Sequence, residues 1–171
     1  RIYLCDVFAE LPERAFSVDR ETIISRGQKT MTQNAPVKIA FICTGNSARS
    51  QMAEGLARAI GSDRLIVQSA GTRPMGVSRH AVTAMARIGI DITHQTSKGL
   101  DQIDNDLDYA ITLCGHAEQH CPILPAKVRL HWPFPDPYDM FADDPEKGFI
   151  IVRDQLKEKI ETFLKERELC K

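Results

Sequence analysis

Val37-Lys-Ile-Ala-Phe-Ile-Cys43-Thr-Gly-Asn-Ser-Ala-Arg49-Ser50 is the stretch that decides the fold. Its first seven residues hold one lysine among apolar side chains, the pattern of a strand buried on both faces. Residues 50–60 then read as a helix closed by Gly61. Between strand and helix stand a cysteine, an arginine six positions later, and small residues throughout. Small residues let a loop curl so that its backbone N–H groups converge on one point. A helix beginning at Ser50 adds the positive end of its dipole there. Such a loop suits a tetrahedral oxyanion, which Arg49 can grip through two parallel hydrogen bonds. The same field suits a nucleophilic thiolate at Cys43. The oxyanion set is thus Thr44, Gly45, Asn46, Ser47, Ala48, Arg49 and Ser50. A nucleotide P-loop is excluded, because no G-K-[ST] follows, and no G-x-G-x-x-G fingerprint occupies the turn.

Outward from this stretch, short apolar runs alternate with helical patterns. Leu65–Ser69, Tyr109–Leu113 and Val128–Trp132 read as further strands. Ser78 is the expected N-cap of a helix running to about Ile88 and ended by Gly89, and Leu100–Asp104 reads as a short helix. The last helix opens on Asp144 and Pro145, a cap and first-position pair. Its Phe149, Val152, Leu156, Ile160 and Phe163 recur at steps of three and four, which makes one apolar stripe. Strands separated by helices imply an α/β fold, a four-stranded parallel sheet flanked by helices on both faces.

Composition narrows the function classes. The 171 residues carry 22 basic and 23 acidic side chains, so no electrostatic case exists for nucleic acid or an anionic membrane as partner. No apolar run approaches the roughly 18–20 residues of a membrane span. The N-terminal RIYLCDVFAELPERAF is broken by charge and by Pro12 and does not read as a signal peptide. Residues 1–35 are expected to be an extension, partly disordered near 25–35, ahead of a single catalytic domain over 36–171. An odd count of five cysteines, unevenly spaced, reads as reduced thiols in a cytoplasmic protein.

Two further segments carry chemistry. Trp132-Pro-Phe-Pro-Asp136-Pro137 follows the fourth strand at the sheet's C-terminal edge, where open α/β sheets carry their sites. An aspartate held there can protonate a leaving oxygen if the loop folds over Cys43. Asp139, Asp143 and Asp144 are assigned to surface and capping. The third strand ends in Leu113-Cys114-Gly-His-Ala-Glu-Gln-His-Cys121-Pro122. On a regular helix Cys114 and Cys121 would lie about 10.5 Å apart along the axis, whereas a disulfide tolerates Cα atoms only about 4.4–6.8 Å apart. They pair only if the segment melts or loops. The rival use of Cys114, His116, His120 and Cys121 is zinc, yet all four lie within eight residues, tighter than the usual two-arm spacing.

C-T-G-N-S-A-R-S-Q-M-A-E resembles the active-site loop of the low-molecular-weight protein tyrosine phosphatase superfamily. Together with C-G-H-A-E-Q-H-C-P-I-L-P it is similar to the thioredoxin-coupled arsenate reductases built on that fold. The likeness covers roughly residues 37–171. It implies Cys43 as nucleophile, Arg49 on the oxyanion, Asp136 as general acid, and Asn46 and Ser50 orienting the loop. It also implies a relay in which Cys114 attacks the Cys43 sulfur and Cys121 then attacks Cys114. Thioredoxin would reduce the resulting disulfide. Arsenate is the implied substrate, phosphate and sulfate are competing oxyanions, and no cofactor or metal is needed by a protein expected to be monomeric. The alternative is a low-molecular-weight tyrosine phosphatase. Asn46, Glu54 and Ser69 match residues around a potassium site in some members, but Lys98 stands where those carry an aspartate, which argues for an ammonium in the cation's place. Tyr138 matches the tyrosine that flanks the cleft in the phosphatases. Cys5 and Cys170 are expected to be incidental thiols.

Overall fold

A computed structural model describes residues 35–113, 124–141 and 143–171. Residues 1–34 of the expected extension over 1–35, and the Cys114–Cys121 segment, lie outside the described residues.

Four strands form one parallel sheet: β1 (Val37–Cys43), β2 (Leu65–Gly71), β3 (Leu107–Thr112) and β4 (Ala126–His131), in the order β2-β1-β3-β4. The pairings β1–β2, β1–β3 and β3–β4 are all parallel. The helices are α1 (Arg49–Ile60), α2 (Arg79–Ala86), the single-turn α3 (Pro137–Met140) and α4 (Pro145–Lys165), with a 3-10 turn at Leu100–Gln102. Among the described residues no helix is long and apolar enough to cross a membrane.

The near-continuous apolar run of β1 is explained by its central place, since alternate residues serve opposite cores. Ile39, Phe41 and Cys43 join the larger cluster with Met52 and Leu56 of α1, Met85 of α2, and Phe149, Val152, Leu156 and Ile160 of α4. Ala40 and Ile42 face the other way, toward Ala70, Ile103, Leu107, Ala110 and Leu124. That second face is covered by the segment carrying the 3-10 turn, whose Leu100 packs against it. The apolar stripe foreseen on the last helix is fully buried, and each such side chain contributes about 1.5–3 kcal/mol.

Two helix ends follow the local chemistry and a third does not. Asp144 accepts from the Lys147 N–H at 3.2 Å, as its place before Pro145 requires. Gly89, at φ +77°, ends α2 with paired bonds, Ile90 N–H to Met85 O and Gly89 N–H to Ala86 O, which is a Schellman closure. Helical bonding thus reaches Ile88 although regular α geometry stops at Ala86. The third is Ser78. It occupies the N-cap position of α2, but its side chain makes no capping bond there.

Candidate active site

The C-terminal ends of β1 and β2 set the floor of the site. Cys43 is the last residue of β1, is 3% exposed, and holds its Sγ 2.9 Å from Ser50 Oγ at the start of α1. That helix begins at Arg49, one residue earlier than the spacing suggested. Every carbonyl of the loop between them is engaged by a neighbour. Thr44 O accepts from Arg73 N–H at 2.8 Å, Gly45 O from Met75 N–H at 2.9 Å and Ser47 O from Ser78 N–H at 3.0 Å. Asn46 O accepts from Gln51 Nε2 at 3.1 Å, and Ala48 O from Met52 N–H at 2.9 Å. In a planar trans peptide the C=O and the following N–H point opposite ways. Pinning the carbonyls outward therefore turns the N–H groups of residues 45–49 toward the inside of the loop, where an anion would sit.

Asn46 is the hub of this arrangement. It is fully buried and takes φ 42°, the left-handed region that asparagine tolerates better than most residues. Its Nδ2 donates to Ser50 Oγ at 2.9 Å and to Ser69 Oγ at 2.8 Å. Its Oδ1 accepts from Gln51 Nε2 at 3.0 Å and from Lys98 N–H at 2.8 Å. Ser69 in turn donates to Glu54 Oε2 at 2.6 Å. Glu54 is 3% exposed, a costly place for a charge unless it is paired. Arg58 Nη2 lies 2.8 Å from its Oε1 and Lys98 Nζ 3.6 Å from its Oε2. The lysine ammonium thus stands beside the carboxylate of this group, as its position in the sequence suggested. Gly71, paired with Cys43, is obligatory here: a Cβ would come within 2.7 Å of Thr44 O and Asn46 N.

The opposite wall comes from the loop after β4. Arg49 crosses to it, donating through Nη2 to Asp136 Oδ2 at 2.6 Å and through Nη1 to Phe134 O at 3.1 Å. Asp136 also caps α3, accepting from Tyr138 N–H at 3.1 Å. Behind the loop, Gly148 of α4 abuts the Pro137 carbonyl, and a Cβ there would collide with it. Between the walls opens a cavity of about 680 Å³, lined by Cys43, Arg49, Met75, Ser78, Asp136 and Tyr138 among others.

A model of the low molecular weight phosphotyrosine protein phosphatases matches residues 38–170. The chain belongs to this family. It is accordingly an enzyme. It is 48% identical over 130 residues to arsenate reductase 1 of Staphylococcus epidermidis, a match covering 73% of this chain and 93% of that one. An arsenate reductase of Halalkalibacterium halodurans is 47% identical over 129 residues, with 73% and 93% covered. Among solved structures, an arsenate reductase in the phosphate binding state superposes with a TM-score of 0.65 at 33% identity, covering 76% of this chain and 98% of that one.

Within this phosphatase-family chain, Cys43, Arg49 and Asp136 line one cavity, together with Thr44, Gly45, Ser47 and Ala48 of the loop. Asn46 and Ser50 stand behind them, fully buried. Cys114 and Cys121 lie outside the described residues, as do His116 and His120 of the zinc alternative. Among the described residues no cluster of three or more metal-ligating side chains occurs. Asp139, assigned from sequence to the surface, also lines the cavity. Four contributors escaped the sequence reading. Gln51 stood inside the quoted motif without a role. Gly71 ends a strand that runs two residues further than expected, and Arg73 and Met75 carried no motif at all. Only a structure brings the N–H groups of Arg73, Met75 and Ser78 onto the loop.

Proposed function

We propose that this chain reduces arsenate to arsenite through a relay of Cys43, Cys114 and Cys121, recycled by thioredoxin. The observation that carries the reading is a cysteine thiol at the floor of an oxyanion loop, facing an arginine–aspartate pair across one cavity. Arsenate takes the loop N–H groups and the Arg49 fork, exchanging its oxygens for the protein acceptors that Arg49 now holds. Cys43 attacks arsenic, and Asp136 protonates the departing hydroxide to water. Cys114 then attacks the Cys43 sulfur. The S–As bond breaks with its electron pair going to arsenic, which leaves as arsenite, while a Cys43–Cys114 disulfide forms. Cys121 attacks Cys114, returning Cys43 as thiolate and leaving Cys114–Cys121 as the bridge. A thioredoxin dithiol reduces that bridge. Two thiols are oxidised for each As(V) reduced to As(III).

Supporting this are the relatives near 47% identity that are named arsenate reductases, and the Cys114/Cys121 pair in the sequence. In this reading residues 36–171 are the catalytic domain of a monomeric cytoplasmic protein, and phosphate and sulfate compete for the loop. A second reading, phosphomonoester hydrolysis by Cys43, is favoured by the family itself. Cys114→Ser separates the two. It should abolish multiple-turnover arsenate reduction and leave aryl-phosphate hydrolysis largely intact. Full reductase turnover in that variant would sink the relay.

A further inference from the structure

Ser78 sits where a serine ordinarily caps a helix, a role worth about 0.5–2 kcal/mol. It forgoes that bond and instead places its Oγ 2.8 Å from the hydroxyl of Tyr138, sixty residues away. The two residues belong to opposite walls of the cavity that holds Cys43. On one wall, the Ser78 N–H donates to Ser47 O of the oxyanion loop. On the other, the Tyr138 N–H donates to Asp136 Oδ1, while Asp136 Oδ2 accepts from Arg49. The tyrosine ring is held edge-on against Phe149 at 4.9 Å and His80 at 6.0 Å, with its hydroxyl aimed at Ser78. The side-chain bond therefore closes a circuit: loop, Ser78, Tyr138, Asp136, Arg49, and back to the loop.

We propose that Ser78 is a positioning residue that sets substrate selectivity by tethering Tyr138 across the cleft. An inorganic oxyanion needs only the floor of the cavity. An ester must also lay its organic group against the walls, where the tethered ring stands. Cutting the tether frees the ring to swing outward, which admits the ester. It also loosens Asp136, whose carboxylate shares the Tyr138 backbone, and so slows the proton delivery that inorganic arsenate requires. The selectivity claim goes beyond the proposed arsenate chemistry and rests on it for one readout only.

The test compares Ser78→Ala, Tyr138→Phe and their double variant with the parent protein. Each is assayed for thioredoxin-coupled arsenate reduction, for hydrolysis of p-nitrophenyl phosphate, and for inhibition of that hydrolysis by inorganic phosphate. Both single variants should lower kcat for arsenate and lower KM for the aryl ester by about three- to tenfold each, the span of one hydrogen bond. Phosphate inhibition should stay within about twofold, because the loop floor is untouched. The double variant should be no worse than the larger single, since both changes remove one bond. Ser78→Thr, which keeps a hydroxyl, should restore the parent ratio. A merely structural serine would instead lower thermal stability and scale both activities together. Unchanged ester-to-phosphate selectivity in both single variants, or fully additive effects in the double, would overturn the proposal. A parent protein inert toward arsenate would sink only the proposed function, because the ester and phosphate arms still decide the tether.

Discussion

The two walls of the cavity are built on different principles. The loop from Thr44 to Ser50 is over-determined: its carbonyls are all engaged and its central asparagine makes four side-chain hydrogen bonds behind it. The loop from Trp132 to Asp139 is stiffened by Pro133, Pro135 and Pro137, and the Asp136 side chain is 35% exposed. The Trp132 and Phe134 N–H groups anchor its base to Thr112 O and Leu113 O. Beyond that it packs Pro137 and Tyr138 against Gly148 and Phe149 of α4, and its polar contacts toward the cavity are with Arg49 and Ser78. One wall is a mould whose shape precedes the ligand. The other is an adjustable cover whose contacts must be exchanged when an anion takes Arg49. Buried polar networks tolerate little change because each orphaned partner costs its full desolvation, whereas a partly solvated ion pair loses less when it is broken.

Three experiments sharpen or break that contrast. The largest expected effect is Asp136→Asn, which should lower kcat by about 10²–10⁴-fold, the usual worth of a general acid. Its thermal midpoint should barely move, because the ion pair it loses is partly solvated. A large loss of stability with unchanged kcat would mean that this wall, too, is structural. Next is Asn46→Ala, measured by denaturant unfolding together with turnover. It leaves Ser69, Gln51 and the Lys98 N–H short of partners and should cost about 2–4 kcal/mol. Stability within about 0.5 kcal/mol of the parent would show that the mould is not over-determined. The smallest effect serves as a control at the N-terminal end of β3. The Lys127 ammonium, and then the Lys38 N–H, hold the Asp108 carboxyl below the ordinary carboxylate range. A depressed folded-state value contributes stability that is present above the unfolded value, about 3.9, and is lost as pH falls through the folded one. Asp108→Asn should therefore cost under about 1 kcal/mol at pH 7, and the gap should close below about pH 4. Turnover at neutral pH should not change. A gap that does not narrow as pH falls below about 4 would remove the electrostatic account.

How much of the site was legible follows from sequence separation. Cys43 to Ser50 is contiguous, so its strand, curl and helix could be read as one motif. Asp136 was legible by a different route, from a proline-flanked aspartate at a strand's C-terminal edge. The backing of the loop was not, because the groups that engage its carbonyls are mostly backbone N–H groups, which every non-proline residue has. Nothing in Arg73, Met75 or Ser78 marks them as those donors. Ser78 misled for a related reason. Its place before a helix argued for capping, and only the arrival of Tyr138 offered the hydroxyl a better partner.

By itself, then, the amino-acid order determined the period of each element, the central buried strand, and a cysteine and arginine on one oxyanion loop. These depend on neighbours within a turn or two, where steric and hydrogen-bonding preferences are local. Tertiary structure alone decided which donors engage the loop's carbonyls, that Arg49 reaches Asp136, and that the Ser78 hydroxyl meets that of Tyr138. Those arrangements join residues up to 87 positions apart. They exist only because a parallel sheet brings the C-terminal ends of its strands to one edge, so that the loops leaving it must share a single cavity.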